Sequence, residues 1–323
     1  MRRRHRRVDG IHAAAVDLGV DLGPVHLPNP IVTASGTFGH GDELGALCDP
    51  AQLGAVTVKS LAAFAWPGNP PLRVTDAAGG GMCNSIGLAG PGVEAWITSD
   101  LPALEARHAR VIASVWGRTV DDYAAAAAPL KRVADRLVAV EVNLSCPNVE
   151  ERSAVFAHAP QPTTAAIGAV VDALGGALPV FAKLSPNVTD LCEIARAALD
   201  AGATGLTLIN TVMALVIDVE TRRPKLGAGG GGLSGPPIKP IALRAVWDVS
   251  RAFPGTPIIG TGGVSSGADA AEMLLAGASA VGVGTATFAD PRAPLRILDE
   301  LRIWCARHSV ANVKDLVGVL EDR

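Results

Sequence analysis

Two lysines and one cysteine stand where short β-branched runs end. Lys59 closes GAVTVKSL (54–61), Lys183 closes PVFAKLSP (179–186), and Cys146 ends LVAVEVNLSC (137–146). The chain has only six lysines, so two at run ends are informative. A lysine in a buried run must face an anionic or strongly polar group, or sit in an internal salt bridge. A thiol with an ordinary pKa of about 8.5 can act as nucleophile or general base. Cys146 has the polar neighbours Asn143, Ser145 and Asn148, whereas Cys48, Cys192 and Cys305 read as packing residues. Cys83, in a Gly-rich loop, fits either role. No cysteine pair has CxxC spacing, so neither a zinc site nor a self-contained iron–sulfur cluster is expected. Asn84, Asn143 and Asn210 each carry donors and acceptors. With a lysine they suit a small planar ring that bears amides and a carboxylate. Gly262-Gly263 and Gly284-Thr285 end the last two runs, where backbone N–H groups can approach a phosphate. Ordinary tight turns are the bland alternative. His40, in GTFGHG, reads as a loop residue.

Eight such runs lie near 31–35, 54–61, 111–117, 137–146, 179–186, 205–211, 257–263 and 280–286. Continuous apolar runs suit parallel strands buried on both faces. Helical patterns fill 120–136, 163–176, 188–200, 237–253, 267–277 and 291–308, with Asp190 and Asp269 placing negative charge early in two of them. The alternation predicts an α/β fold, a (β/α)8 TIM barrel, over a doubly wound sheet. Its catalytic residues belong at the C-terminal strand ends. The stretches 62–110 and 212–236 are too long for plain connections, so they are expected as loop insertions over the C-terminal mouth, with GAGGGGLSG (227–235) a flexible loop. The barrel is expected as a single domain over 18–323, preceded by a basic, disordered extension over 1–17. Five arginines fall within the first seven residues, leaving 23 basic against 31 acidic side chains in the rest. That acidic body and the 4% aromatic content argue against nucleic acid. Mean hydropathy is +0.31, yet no run approaches the roughly 20 apolar residues of a membrane span. The start lacks a signal-peptide core, so a cytoplasmic protein is expected.

Taken in order, TASGTFG (33–39), VKSL (58–61), NSIGL (84–88), VNLSCPNV (142–149), AKLSPN (182–187), INT (209–211), GGLSG (231–235), GTGGV (260–264) and VGTATFADP (283–291) resemble the dihydroorotate dehydrogenases. The resemblance runs from about residue 18 to about 310. It implies an FMN-dependent barrel that oxidises dihydroorotate to orotate in pyrimidine synthesis. Cysteine at 146 together with GGLSG and INT resembles class 1B, whose members reach NAD through a second subunit carrying FAD and a [2Fe–2S] cluster. A fumarate-linked enzyme is the nearest alternative. Further back stand a related pyrimidine-reducing flavoenzyme, a flavin-free phosphate-binding isomerase or decarboxylase, and a non-catalytic binding module. The resemblance implies Cys146 as the base at C5 of dihydroorotate, with the hydride from C6 passing to N5 of FMN. It implies substrate contacts at Lys59, Asn84, Ser85, Ile86, Gly87, Leu88, Asn143, Asn148, Asn210 and Thr211. It implies FMN contacts at Ser35, Lys59, Ser60, Asn143, Lys183, Ile209, Gly235, Gly262, Gly263, Gly284 and Thr285. Where the family has asparagine at the end of strand 3, this chain has Ser114, so a shorter or water-mediated FMN contact is expected there. A homodimer, or a heterotetramer with the electron-transfer subunit, follows from the same resemblance.

Overall fold

The computed structural model describes residues 11–145 and 156–321. Its centre is eight parallel strands: β1 (Ile31–Thr33), β2 (Val56–Thr57), β3 (Val111–Val115), β4 (Ala139–Asn143), β5 (Val180–Lys183), β6 (Gly205–Leu208), β7 (Ile258–Thr261) and β8 (Ala280–Val283). Each falls inside one of the expected runs. The hydrogen-bonded order is β1-β8-β7-β6-β5-β4-β3-β2. A parallel bridge between Val32 and Ala55 sets β1 beside β2 and closes the barrel.

The outer ring holds α1 (Val93–Ser99), α2 (Leu101–Ala106), α3 (Val120–Ala127), α4 (Pro160–Leu174), α5 (Leu191–Asp200), α6 (Lys239–Ala252), α7 (Gly267–Leu275), α8 (Ala286–Ala289) and α9 (Ala293–Arg307). Their starts are written in short polar residues. Thr119 and Asp122 form a reciprocal capping box, the Asp190 carboxylate accepts from the N–H groups of Cys192 and Glu193, and Ser266 caps α7. The helix expected over 120–136 ends at Ala127, and 128–136 continues as tighter 3-10 turns. Pro129 removes an N–H donor and crowds the preceding turn.

Strand alternation sends one set of side chains inward. At the C-terminal end that set is polar: Thr33, Thr57, Ser114, Glu141, Lys183, Thr207 and Thr261 are all buried. A hairpin of Val20–Leu22 and Val25–Leu27 lies under the opposite end, where Gly23 packs against Pro257 and Thr204, the residues preceding β7 and β6. Residues 11–17, expected within a disordered extension, are instead tied to the C-terminal segment. The Asp17 N–H donates to the Ala311 carbonyl and Val16 is buried. Residues 11–17 therefore pack with the barrel.

The two insertions meet over the mouth as one antiparallel sheet, ordered Val212–Ala214, Gly231–Ser234, Gly81–Asn84, Val74–Ala77. This corrects the expectation of a flexible loop at 227–235, since Gly231–Ser234 pairs with strands on both sides. Its glycines are there for closeness. A Cβ on Gly232 would lie 2.0 Å from Thr211 Oγ1, and one on Gly231 would lie 2.5 Å from the Asn84 carbonyl oxygen. No helix among the described residues is long and apolar enough to cross a membrane.

Inside the barrel, a Cβ on Gly282 would lie 1.7 Å from Thr261 Oγ1. Gly282→Ala is expected to cost about 1–3 kcal/mol through overpacking, measured as a lowered denaturation midpoint against wild type.

Candidate active site

One cavity of about 1350 Å³ opens at the C-terminal mouth. A pocket for a single drug-sized ligand is about 300–1,000 Å³, so this one has room for two. The structure brings nearly every described sequence candidate to its wall. From strand ends come Ser35, Lys59, Ser60, Asn143, Lys183, Ile209, Asn210 and Thr211. The mouth sheet and its flanks contribute Asn84, Ser85, Ile86, Gly87, Leu88 and Gly235. The last two strand ends add Gly262, Gly263, Gly284 and Thr285. Ser114 alone among the described candidates does not line the wall. It is fully buried beneath it, with its hydroxyl 2.9 Å from Ser60 Oγ and 3.1 Å from Glu141 Oε1. Cys146 and Asn148 lie outside the described residues.

A continuous network supports the wall. Ser35 Oγ meets Ser60 Oγ at 3.1 Å, and Ser60 Oγ accepts from Asn143 Nδ2 at 3.1 Å. Asn143 Oδ1 accepts from Asn210 Nδ2 at 3.2 Å and from the Ser145 N–H at 3.2 Å. Tyr123, fully buried, donates its hydroxyl to the Asn143 carbonyl at 2.8 Å. The network runs through Ser114 to Glu141, whose carboxylate stands 3.7 Å from Lys183 Nζ. That is an ion-pair distance, longer than a hydrogen bond, so the ammonium keeps donors for a ligand in the cavity. The bland reading of Lys183 as an internal salt bridge is thus part of the answer, and the residue lines the cavity as well.

The glycine turns after β7 and β8 are shaped to present backbone. Gly262 and Gly263 have φ of 135° and 74°. A Cβ on Gly262 would lie 2.7 Å from Ala242 Cβ, and one on Gly263 would lie 2.6 Å from Lys239 Cβ. The side-chain side of this turn is therefore filled by α6, leaving its main chain toward the cavity. Asp269 braces it from below, accepting from the Ser265 N–H at 2.9 Å, Ser265 Oγ at 2.9 Å and Lys239 Nζ at 2.6 Å. Burial pushes the Asp269 carboxyl up, but the bonds from Lys239 and Ser265 outweigh it and hold the pKa at about 2.

Charge at the wall is lopsided. Among the described residues, Lys59, Arg118, Lys183 and Arg296 line the cavity against one carboxylate, Asp290. An acidic protein thus holds a cationic pocket, which favours anionic ligands. The glycine turns, this charge and the volume together fit a phosphate-bearing cofactor beside a second small anion.

A profile of the dihydroorotate dehydrogenase family matches residues 18–304. The chain belongs to this family. It is 46% identical over 307 residues to the dihydroorotate dehydrogenase B (NAD(+)) catalytic subunit of Pelobacter propionicus, covering 94% of this chain and 99% of that one. The subunits of the same name from Geobacter metallireducens and Geobacter sulfurreducens are 43% and 44% identical, each alignment covering 94% of this chain and 98% of the relative.

Within the family's barrel, the described thiols, Cys48, Cys83, Cys192 and Cys305, read as structural. Cys48 and Cys305 are fully buried, and burial pushes both pKa values up to about 11. Cys83, left open by its Gly-rich surroundings, is buried in the mouth sheet with its pKa raised by the same cause. His40 lies in a loop, and burial lowers its pKa. Glu141, Asn187, Trp66 and Arg118 were not foreseen at the site. Glu141 had a signal, a lone carboxylate in the apolar run LVAVEVN. Asn187 sits in the AKLSPN motif and ties the mouth to β5, donating to Ser185 Oγ at 2.8 Å and accepting from the Met213 N–H at 2.8 Å.

Removing one partner of a buried pair costs about 3–5 kcal/mol. Glu141→Gln is therefore expected to lower stability by that order in chemical denaturation, while Glu141→Leu with Lys183→Met recovers much of the loss. Asp269 has a depressed folded-state pKa, so its contribution is present above the ordinary aspartate range and lost as pH falls from about 4 toward 2. Asp269→Asn is expected to flatten that part of the stability-against-pH curve.

Proposed function

We propose that this chain oxidises (S)-dihydroorotate to orotate in pyrimidine biosynthesis, as the FMN-binding catalytic subunit of an NAD-linked enzyme. The observation that carries this reading is one cationic cavity with room for two ligands, which has amide-rich strand ends on one side and glycine turns on the other. The backbone of Gly262, Gly263, Gly284 and Thr285 would hold the FMN phosphate. Ser35, Lys59, Ser60, Asn143, Lys183, Ile209 and Gly235 would hold the rest of the cofactor. Ser114 would act from beneath, through Ser60. When bound, FMN supplies the two-electron acceptor for the hydride that leaves C6 of the substrate.

The chain's own residues do the remaining work. Asn84, Asn143 and Asn210 offer amide donors and acceptors to the ring, and Lys59 offers an ammonium to its carboxylate. Ser85 to Leu88 and Thr211 complete the enclosure, excluding water around the ring, and Asn148 is a further candidate substrate contact. Cys146 takes the proton from C5 as general base. The chain's two products would be orotate and a reduced cofactor, whose electrons must pass to a further acceptor. The relatives' name, a catalytic subunit of an NAD(+) enzyme, supports a partner subunit over fumarate as the acceptor. FAD and [2Fe–2S] belong on that partner, and the assembly is a homodimer or a heterotetramer with it. The protein works in the cytoplasm.

The test is anaerobic mixing of the purified chain with dihydroorotate, read as bleaching of the oxidised flavin band. Bleaching by dihydroorotate, slow reoxidation by NAD+ alone and fast reoxidation once the partner is added are the expected outcomes. Flavin that stays oxidised in excess substrate overturns the reading. Cys146→Ala is expected to retain bound flavin and lose at least about a hundredfold in reduction rate. In wild type that rate is expected to rise with pH toward the ordinary thiol range.

A further inference from the structure

The cations of the cavity wall are not equivalent. Lys183 stands 3.7 Å from Glu141, and Arg296 is paired with Glu300 at 2.8 Å and Asp290 at 3.7 Å. Arg118 has no side-chain carboxylate within salt-bridge distance among the described residues. Its guanidinium lies over the Trp66 ring, 5.1 Å from the centroid, and its Nε is buried without a hydrogen-bond partner. At the neighbouring strand end, the Ser145 hydroxyl is likewise buried and unpartnered. Both residues line the cavity. A buried polar group left unpaired is destabilising. The two follow adjacent strands and make this a polar stretch of the cavity wall.

The position of this wall says which ligand. Arg118 follows β3 and Ser145 follows β4, whereas the glycine turns follow β7 and β8. In the closed eight-strand order β3 lies four strands from β7, across the barrel. Arg118 therefore serves the end of the cavity opposite the phosphate turns. Trp66 is tied to the ring-binding segment 84–88 and its flank. Its backbone N–H donates to the Gly90 carbonyl at 2.9 Å, while the Asn69 backbone N–H donates to the Ile86 carbonyl at 3.0 Å and its Nδ2 to Ser85 Oγ at 2.8 Å. Edge contacts with Phe64 at 6.0 Å and Trp116 at 6.3 Å hold the indole in place. A guanidinium stacked on a fixed ring keeps its edge for a carboxylate, which it grips in a two-point fork.

We infer that Arg118, seated on Trp66, is a specificity-determining residue that grips the carboxylate of the pyrimidine and selects an anionic ring over a neutral one. The inference rests on the dihydroorotate reading above. It involves no bond making or breaking, and it adds a second cation to Lys59 at the substrate end.

The test is equilibrium titration of the flavin-loaded protein with orotate and, separately, with uracil, which lacks the carboxylate. Wild type, Arg118→Gln and Arg118→Lys are compared, with thermal midpoints measured alongside. Arg118→Gln is expected to weaken orotate at least about tenfold, near 1.4 kcal/mol, and to leave uracil unchanged. Arg118→Lys, which keeps the charge without the fork, is expected to fall between the two. Its fold is the more conservative, so it reports even if Arg118→Gln is unstable. Orotate binding equal to wild type in both variants overturns the inference, as does an equal loss for orotate and uracil. A wild-type protein that binds no orotate would instead overturn the dihydroorotate reading, so the two failures are distinct.

Discussion

A buried ammonium must be answered by charge or by hydrogen bonds, and much of this barrel's upper interior follows from that need. Lys183 ends β5 with almost no exposure, and Glu141 on the adjacent β4 supplies the counter-charge. Once Glu141 is inside, its other lone pairs need donors, and Ser114 on β3 provides one. Ser114 in turn fixes Ser60, and Ser60 fixes Asn143 and Ser35. The side chains that would meet cofactor and substrate are thus oriented by one electrostatic requirement just beneath the cavity wall. That is preorganisation in its physical sense, with dipoles set before a ligand arrives.

A second constraint acts from above. The mouth sheet lies so close to the strand ends that Gly232 and Thr211 leave no space for a methyl group. Glycine in such a strand weakens it, and the paired neighbours on both sides offset that. The result is a rigid lip beside the cavity, with Asn187 stapling it to β5. At the far end, Asp269 and Lys239 lock the turn of Gly262 and Gly263 between α6 and α7. Precise support at both ends, joined by a cationic wall, suits a site that would hold two anions in register.

Several features were legible because they obey local rules. The eight strands show as β-branched runs, since parallel strands buried on both faces leave no alternation to read. Helix starts show in Thr119, Asp190 and Ser266, since capping is local chemistry. The strand ends at Lys59, Asn143, Lys183 and Asn210 could be picked out because barrel geometry puts chemistry there. Other features depend on partners distant in the chain. GAGGGGLSG looks like a flexible loop until Gly81–Asn84 and Val212–Ala214 pair with it from both sides. Ser114 looks like a wall residue until Ser60 and Glu141 draw its hydroxyl beneath the wall.

The sequence by itself therefore determined the strand and helix order, the barrel, and which strand ends meet at the mouth cavity, because period, caps and turn residues are written in neighbouring positions. Only the tertiary structure decided that Glu141 answers Lys183, that the two insertions form one sheet, and that Arg118 rests on Trp66 facing the cavity. Those outcomes depend on distances between residues 42 to more than 100 positions apart in the chain, on how charges are buried together, and on how little space a glycine leaves.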